Sequence, residues 1–578
     1  MKRLLISMGA LALILAMMVP AVGAPTIPRQ DIEDLRTFSD VPLVQPEDVP
    51  GLGTVGQIRC ETTGDPALDI DISCDDPLAP DNELAVVVDP EDPDHLLAGS
   101  NDYRLTFRGN TVIVRVPTGF FVSEDGGETW TDGEVPLTRG ALGAGDPAPA
   151  FNAKFDTAHM ASLEFTCGQL APFCTNGKLT VSTSHDGGFT WDRPVVAAMG
   201  TGSDVSAQQI FNDKEWLVAD NHPDSPHFGR LYLVWARFRL ENGGYDESPI
   251  YLTYSDDAGS TWATPREISG RNSEYCTFQD DADDVAAGED AFECDQDQFA
   301  YPAVAADGTV YVHFHNEQNE QAWEEGEAYE SQIMVVKSSD GGDTWTDPVH
   351  VVQMEDSYTA PPVGVSGDYP INVGFRTTLT GHQMRVNSAG NIAVDNSGGD
   401  NDGRIYVVFA DNADGVNSSS TPVTDTNIFV AYSDDGGATW AGGDDGTDTD
   451  LTSRIRVDAS AGSDQWFPWA AVGPDGSLQV IYMDGRTDRD LYDMTLASGE
   501  PLTGFSQEVI SQEPSNPDDS IFFQARVPGC ESCATFIGDY NGLDIDSAGR
   551  AHGVWTDMRR PVTPAPALHT QDAYYARR

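Results

Sequence analysis

The sequence is poor in positive charge. Its 578 residues include 32 Lys or Arg against 93 Asp or Glu, a formal net charge of −61, and only five of the basic residues are Lys. A surface of that sign repels phosphate backbones and anionic headgroups, which excludes nucleic-acid binding and attachment to anionic membranes. Long apolar runs are missing after the first twenty residues, so no membrane span is expected in the body of the chain. No glycine loop suited to cradling phosphate, no Ser-His-Asp motif and no basic patch occurs.

Cysteine is also scarce. The eight Cys fall in four sequence-local pairs, Cys60/Cys74, Cys167/Cys174, Cys276/Cys294 and Cys530/Cys533. An even count in an exported chain reads as disulfides, each closing a local loop. Export is expected from the start of the chain. Met-Lys-Arg is followed by an apolar stretch from Leu4 to Val19 and small residues up to Ala24, the order of a secretory signal peptide over residues 1–24. Residues 25–80 are Pro- and Asp-rich, an irregular segment with room for one strand, Thr54 to Arg59. Residues 81–578 are expected to form one domain in an extracellular, monomeric protein.

What is present in quantity is a repeat. The pattern Ser-x-Asp-x-Gly-x-Thr-Trp occurs at Ser123–Trp130, Ser184–Trp191, Ser255–Trp262, Ser338–Trp345 and Ser433–Trp440. Ser and Asp side chains satisfy turn amides, Gly takes positive φ without steric cost, and Thr-Trp starts a strand with a residue large enough to seal a contact between sheets. β-rich runs such as Ile250–Tyr254 precede each copy, so each is a hairpin turn. A second repeat, seen in Asp297–Gly308, Asp464–Gly476 and Asp539–Gly549, precedes another strand. Seven such units begin near Asn82, Asp146, Asp213, Asp297, His382, Asp464 and Asp539, and the sixth lacks the turn motif. The fold class is therefore all-β, a single β-propeller of four-stranded blades, seven preferred over six. An N-terminal strand would supply the seventh blade's missing fourth strand and remove the open edge.

The octapeptide is the Asp-box, and from about residue 80 onward the chain resembles the sialidase superfamily of Asp-box (BNR-repeat) propellers. In that family the Asp-box lies between the outer two strands of a blade, away from the catalytic face. The resemblance implies an exo-α-sialidase-like glycoside hydrolase acting on a terminal or acidic sugar of extracellular glycans or glycoproteins. The alternative is a non-catalytic propeller that binds glycan or protein. The family's catalytic set is an Arg triad, a Tyr nucleophile with a Glu partner, and an Asp acid/base. The first Arg of that triad usually sits in an Arg-Ile-Pro-like sequence, which this chain lacks.

Residues are assigned from loop position. Loops entering the inner strand and loops leaving the second strand of a blade open onto one face. The entering loops carry Asn82-Glu83, Asp146, Asp213-Lys214, Asp297-Gln298, His382-Gln383, Asp464-Gln465 and Asp539-Tyr540. On this basis Tyr540, Glu317 and Asp102 are the catalytic candidates, and Arg237, Arg486, Arg559, Asp539, Asp297 and Asp464 the substrate-binding ones. A repeated Asp at a strand entrance can equally cap its own turn. His313 and His315 share one face of a strand, with His382 as a third metal-ligand candidate, but satisfied histidines are the expected reading and no metal is assigned. No cofactor is required. Ca²⁺ is possible at Asp395–Gly403 or Asp444–Asp450, whose composition is that of calcium turns without EF-hand spacing.

Overall fold

The structure is a computed structural model of the whole chain. It describes residues 57–578 apart from 75–78, 109–110, 142, 166–176, 202–208, 242–243, 277–291, 319–330, 355–378, 380–385, 413–423, 444–452, 460–461, 489–490, 521–535 and 562–568. The signal peptide, Cys167, Cys174, Cys530, Cys533, His382 and Asp444–Asp450 lie outside the described residues, as does the side chain of Arg486.

Seven antiparallel sheets form seven blades around a central channel. The inner strands, in chain order, are Asp81–Asp89, Gly143–Asn152, Gln209–Ala219, Asp297–Val304, Ala389–Val394, Gln465–Val472 and Gly542–Ile545. Each packs against the next, and the seventh packs against the first. The core lies between blades: valines, leucines and isoleucines of second and third strands fill each inter-blade layer. Each sheet has two apolar faces and must bury both, which a ring of blades achieves.

The expected closing strand was Thr54 to Arg59, and the structure corrects this. Gln57–Thr63 pairs with Thr129–Glu134 as an additional outer strand of blade 1. The strand that completes blade 7 is Ile70–Asp71, paired with Asp572–Arg577. Arg59 explains the difference, because its guanidinium pairs with Asp102, Asp132 and Glu134 of blade 1. The Cys60–Cys74 disulfide, with Cα atoms 6.1 Å apart, ties the two stretches together. One N-terminal segment therefore straps the first and last blades. Cys276 and Cys294 form the second described disulfide, 5.4 Å between Cα atoms.

The Asp-boxes have one geometry five times over. Ser123 Oγ donates to Asp125 Oδ1 at 2.9 Å, the Gly127 amide to Ser123 Oγ at 3.0 Å, and the Thr129 amide to Asp125 Oδ1 at 2.8 Å. The same three bonds recur around Asp186, Asp257, Asp340 and Asp435. Gly127 sits at φ +89°, where a Cβ would lie 2.3 Å from the Tyr575 ring, so only glycine lets blade 1 close on blade 7. Trp130 and Trp191 are fully buried, and Trp262, Trp345 and Trp440 are half-buried. Trp130 packs edge-on to Tyr575 of blade 7, and Trp191 packs on Phe120 of blade 1. Blade 6 replaces its Asp-box with a tight hairpin in which Glu500 faces Gly504.

Candidate active site at the channel mouth

The inner strands share a distortion at their entrances. Glu83, Asp146, Lys214, Phe299 and Phe467 all have φ between +52° and +56° although none is glycine. Ladder register shifts within or beside four of these positions: between Asn82 and Ala85, Asp213 and Trp216, Gln298 and Tyr301, and Trp466 and Trp469. These are β-bulges, and each left-handed non-glycine residue costs about 1–2 kcal/mol. Strain repeated at one level of the ring re-aims consecutive side chains, as at barrel rims and next to active sites.

Three of the bulge residues meet. Lys214 Nζ lies 3.2 Å from Glu83 Oε1 and 3.6 Å from Asp146 Oδ2, and it also pairs with Asp539 of blade 7. Asn101 links the same group: its Nδ2 donates to Glu83 Oε2 at 2.7 Å, and its Oδ1 accepts from the Asp146 amide at 2.6 Å. Glu215 follows Lys214 and is buried with neither carboxylate oxygen hydrogen-bonded. Burial pushes the Glu83 and Glu215 carboxyls well above the usual range; the neighbouring Asp146 charge adds to both, and Lys214 opposes it. Below them lies an aromatic floor. Trp216 contacts Tyr301, Trp469 and Tyr540 at centroid separations of 5.1, 4.5 and 5.3 Å. Glu83, Glu215, Lys214 and Asp539 are all at most 5 % exposed; Asp146 is half-buried and forms the outward edge of the cluster.

The candidates from loop position divide. Asp539 and Tyr540 are in this cluster. Glu317 is in blade 4, buried, its carboxyl pushed up to about 7 by burial, and no hydrogen bond joins it to Tyr540. Asp102 is engaged by Arg59 of the N-terminal strap, and burial holds its carboxyl near 7 against that cation. Arg559 is bound by Asp557 and by Asp69 at 2.7 Å, and stacks over Tyr574. Its own neighbouring Asp and Asp69 of the N-terminal strap thus hold it between them. Arg237 lies over the Tyr251 ring at 4.6 Å. Asp297 accepts from Asn316 Nδ2 at 2.7 Å. Asp464 receives Thr424 Oγ1 at 2.9 Å and the Thr426 amide at 3.0 Å, and so ties the entrance of blade 6 to the third strand of blade 5. In the proposed calcium turn, Asp395 and Asp402 accept the amides of Ser397 and Gly398. His313 and His315 are fully buried.

Glu83, Asp146 and Lys214 stood among the entering-loop residues without being chosen; Asn101, Glu215, Trp216, Tyr301 and Trp469 were missed. One signal was available: Lys214 is one of five lysines and directly follows an entrance aspartate, Asp213.

Residues 109–314 match the family model described as BNR repeat-like domain. The match agrees with the five identical turns and the seven-bladed ring. The chain is a seven-bladed β-propeller that carries a BNR repeat-like domain over that stretch. No curated protein matches it. Solved structures similar to this BNR-repeat propeller include a Hadza microbial sialidase (10 % identity, 90 % of this chain and 96 % of that one, TM-score 0.38). Others are the NanB sialidase of Streptococcus pneumoniae (9 %, 92 % and 95 %, 0.40) and an α-L-arabinofuranosidase of Fusarium graminearum (9 %, 75 % and 92 %, 0.39).

Proposed function

We propose that the chain is a secreted glycoside hydrolase whose chemistry takes place at the channel mouth, on a terminal sugar seated over the aromatic floor. The observation that carries this reading is the sorting of carboxyls there into two classes. Glu215, desolvated and unpaired, is kept as the proton-bearing acid. Asp539 and Asp146 both lie against the Lys214 ammonium. Glycoside hydrolysis needs one group of each kind across the scissile bond. Trp216, Trp469 and Tyr540 offer apolar surface of the sort on which a sugar ring packs. Lys214 is already shared among three carboxylates, and Arg559 is neutralised by two. Neither therefore offers an uncommitted cation to a sugar carboxylate, which leaves Arg237, over the Tyr251 ring, as the described candidate for one.

The second reading is the non-catalytic binding propeller, favoured by the deep burial of Glu83, Glu215 and Asp539. Turnover of a panel of fluorogenic glycosides, a sialoside among them, separates the two. The hydrolase reading expects turnover on at least one glycoside of the panel and a loss of at least ~100-fold in kcat in Glu215→Gln, in line with the usual worth of a general acid. A protein that binds glycans on an array and turns over none of the panel is a binding module.

A further inference from the structure

Asn101 stands near the end of the second strand of blade 1, Asp92–Asp102, across the ladder from Asn82. Its amide reaches the entrances of two inner strands at once. Nδ2 donates to Glu83 Oε2 at 2.7 Å in blade 1, with Asn82 Oδ1 at 3.5 Å from the same nitrogen, and Oδ1 accepts the Asp146 amide at 2.6 Å in blade 2. Asn101 is 3 % exposed. The amide cannot be turned round, because a flip would set its NH2 group against the Asp146 N–H, two donors facing each other. Both residues it holds are left-handed without being glycine, Glu83 at φ +56° and Asp146 at φ +53°. A residue in that conformation persists only where its surroundings fix it. The fit is close on either side. A Cβ on Gly145 would lie 2.6 Å from Asn101 Oδ1, and one on Gly538 of blade 7 would lie 2.7 Å from the Glu83 nitrogen.

Asn101 thus bears on both the shape and the charge of the cluster. Its NH2 group can only donate, so Glu83 Oε2 is fixed as an acceptor, while Lys214 Nζ lies 3.2 Å from Oε1. The other charged or titratable groups that face Glu83 are Asp146, Asp539, Tyr103, Tyr301 and Tyr540. Burial and the Asp146 charge push the Glu83 carboxyl up, and Lys214 opposes them. A hydrogen bond given to the ionised form acts in the same sense as Lys214.

We propose that Asn101 is a positioning residue of the channel mouth, holding the Glu83 carboxyl and the strained entrance of blade 2 in one register so that Glu83 and Asp146 both meet Lys214. The proposal rests on the hydrolase reading of that mouth. Asn101 acts through Glu83 and Asp146 and needs no contact with the sugar. The competing role is a plain brace, in which Asn101 does no more than keep the Asp146 amide in place.

Asn101→Asp separates the two roles. The new side chain has the shape of the amide and still accepts the Asp146 amide, so a brace survives. Its second oxygen faces Glu83 Oε2, and two carboxyls at that distance share a proton, which raises the pKa of the pair. The test is steady-state kinetics of the full chain across a pH series, on the best glycoside of the fluorogenic panel. The expected result is a kcat about tenfold or more lower at neutral pH, a KM within about threefold of wild type, and an acid limb moved up by about one pH unit or more. Gly145→Ala pushes Oδ1 aside while changing no polar group. It is expected to lower kcat in the same way, and it carries the test if Asn101→Asp does not fold. Wild-type kcat and pH profile in both variants overturn the proposal in favour of the brace, whatever happens to the melting temperature. A wild-type chain that turns over none of the panel overturns it together with the hydrolase reading, an outcome seen before any variant is made.

Discussion

At the outer turns, Asp340 and Asp435 sit near the surface and accept hydrogen bonds from the hydroxyl and the amide of Thr344 and Thr439, which hold both carboxyls down to about 2. At the inner strands, Glu83, Glu215 and Asp297 are buried and pushed well above the usual carboxylate range, desolvation being the largest cause for each. The same residue type thus does opposite work on the two edges of a blade. Outside, a short local loop saturates each acid with its own backbone. Inside, acids from different blades are crowded into a ring with one lysine. An acid satisfied locally stabilises a turn, whereas acids that compete for one cation hold protons in unequal ways, which is what proton-transfer chemistry requires.

The sharpest way to break this contrast is to remove the shared cation. Lys214→Met leaves Glu83, Asp146 and Asp539 facing one another, and should destabilise the fold by about 3–5 kcal/mol at neutral pH, with partial recovery on acidification. Denaturant unfolding at two pH values checks this. Unchanged stability at neutral pH would show that the cluster is hydrated and the contrast overstated.

A comparable loss is expected at the turns from a different source. Trp130→Ala should cost about 3–5 kcal/mol through the cavity left against Tyr575, and the half-buried Trp262 less than that. Asp340→Ala, which removes the turn's acceptor, should cost only about 1 kcal/mol and leave glycoside turnover unchanged. Calorimetric melting of the three variants orders them.

The smallest effect is the most diagnostic. Asp340 has its folded pKa lowered, so its contribution to stability is present above about pH 4 and is lost as pH falls towards 2. Asp544, on the inner strand of blade 7, is raised to about 6, chiefly by burial. The folded state holds its proton more tightly than the unfolded one. Stability from this group is therefore full below about pH 4 and is lost as pH rises through 6. Asp544→Asn should flatten the stability profile between pH 4 and 6, and Asp340→Asn only the acid limb. Identical profiles for the two variants would remove the distinction between the edges.

Much of the outer edge was legible in the chain. Ser123, Asp125, Gly127, Thr129 and Trp130 are bonded within eight residues of one another, so spacing alone predicts the contacts, and four repetitions confirm the reading. Blade number followed from the inner-strand units, and the Cys60–Cys74 and Cys276–Cys294 bridges followed from proximity in sequence. The channel mouth was only half legible. Asp539 and Tyr540 were chosen, while Glu215 and Trp216 were not, because their placement beside the cluster depends on a bulge at the strand entrance. A one-residue bulge changes which side chains point into the channel, and no local pattern marks it. The pairing of Arg559 with Asp69 was not legible for the related reason that Asp69 lies far away in sequence, on the N-terminal strap.

The sequence by itself determined the repeating unit, a turn that satisfies its own polar groups and strands of matching length, and a formal net charge of −61. Only the tertiary structure decided how the ring closes and which acids share Lys214. Closure depends on where Arg59 finds its carboxylates, and the cluster depends on residues from blades 1, 2, 3 and 7 converging at one level of the channel. Local hydrogen bonds are encoded by spacing along the chain. Desolvation and charge sharing depend on distances across the ring, which exist only once seven blades have closed.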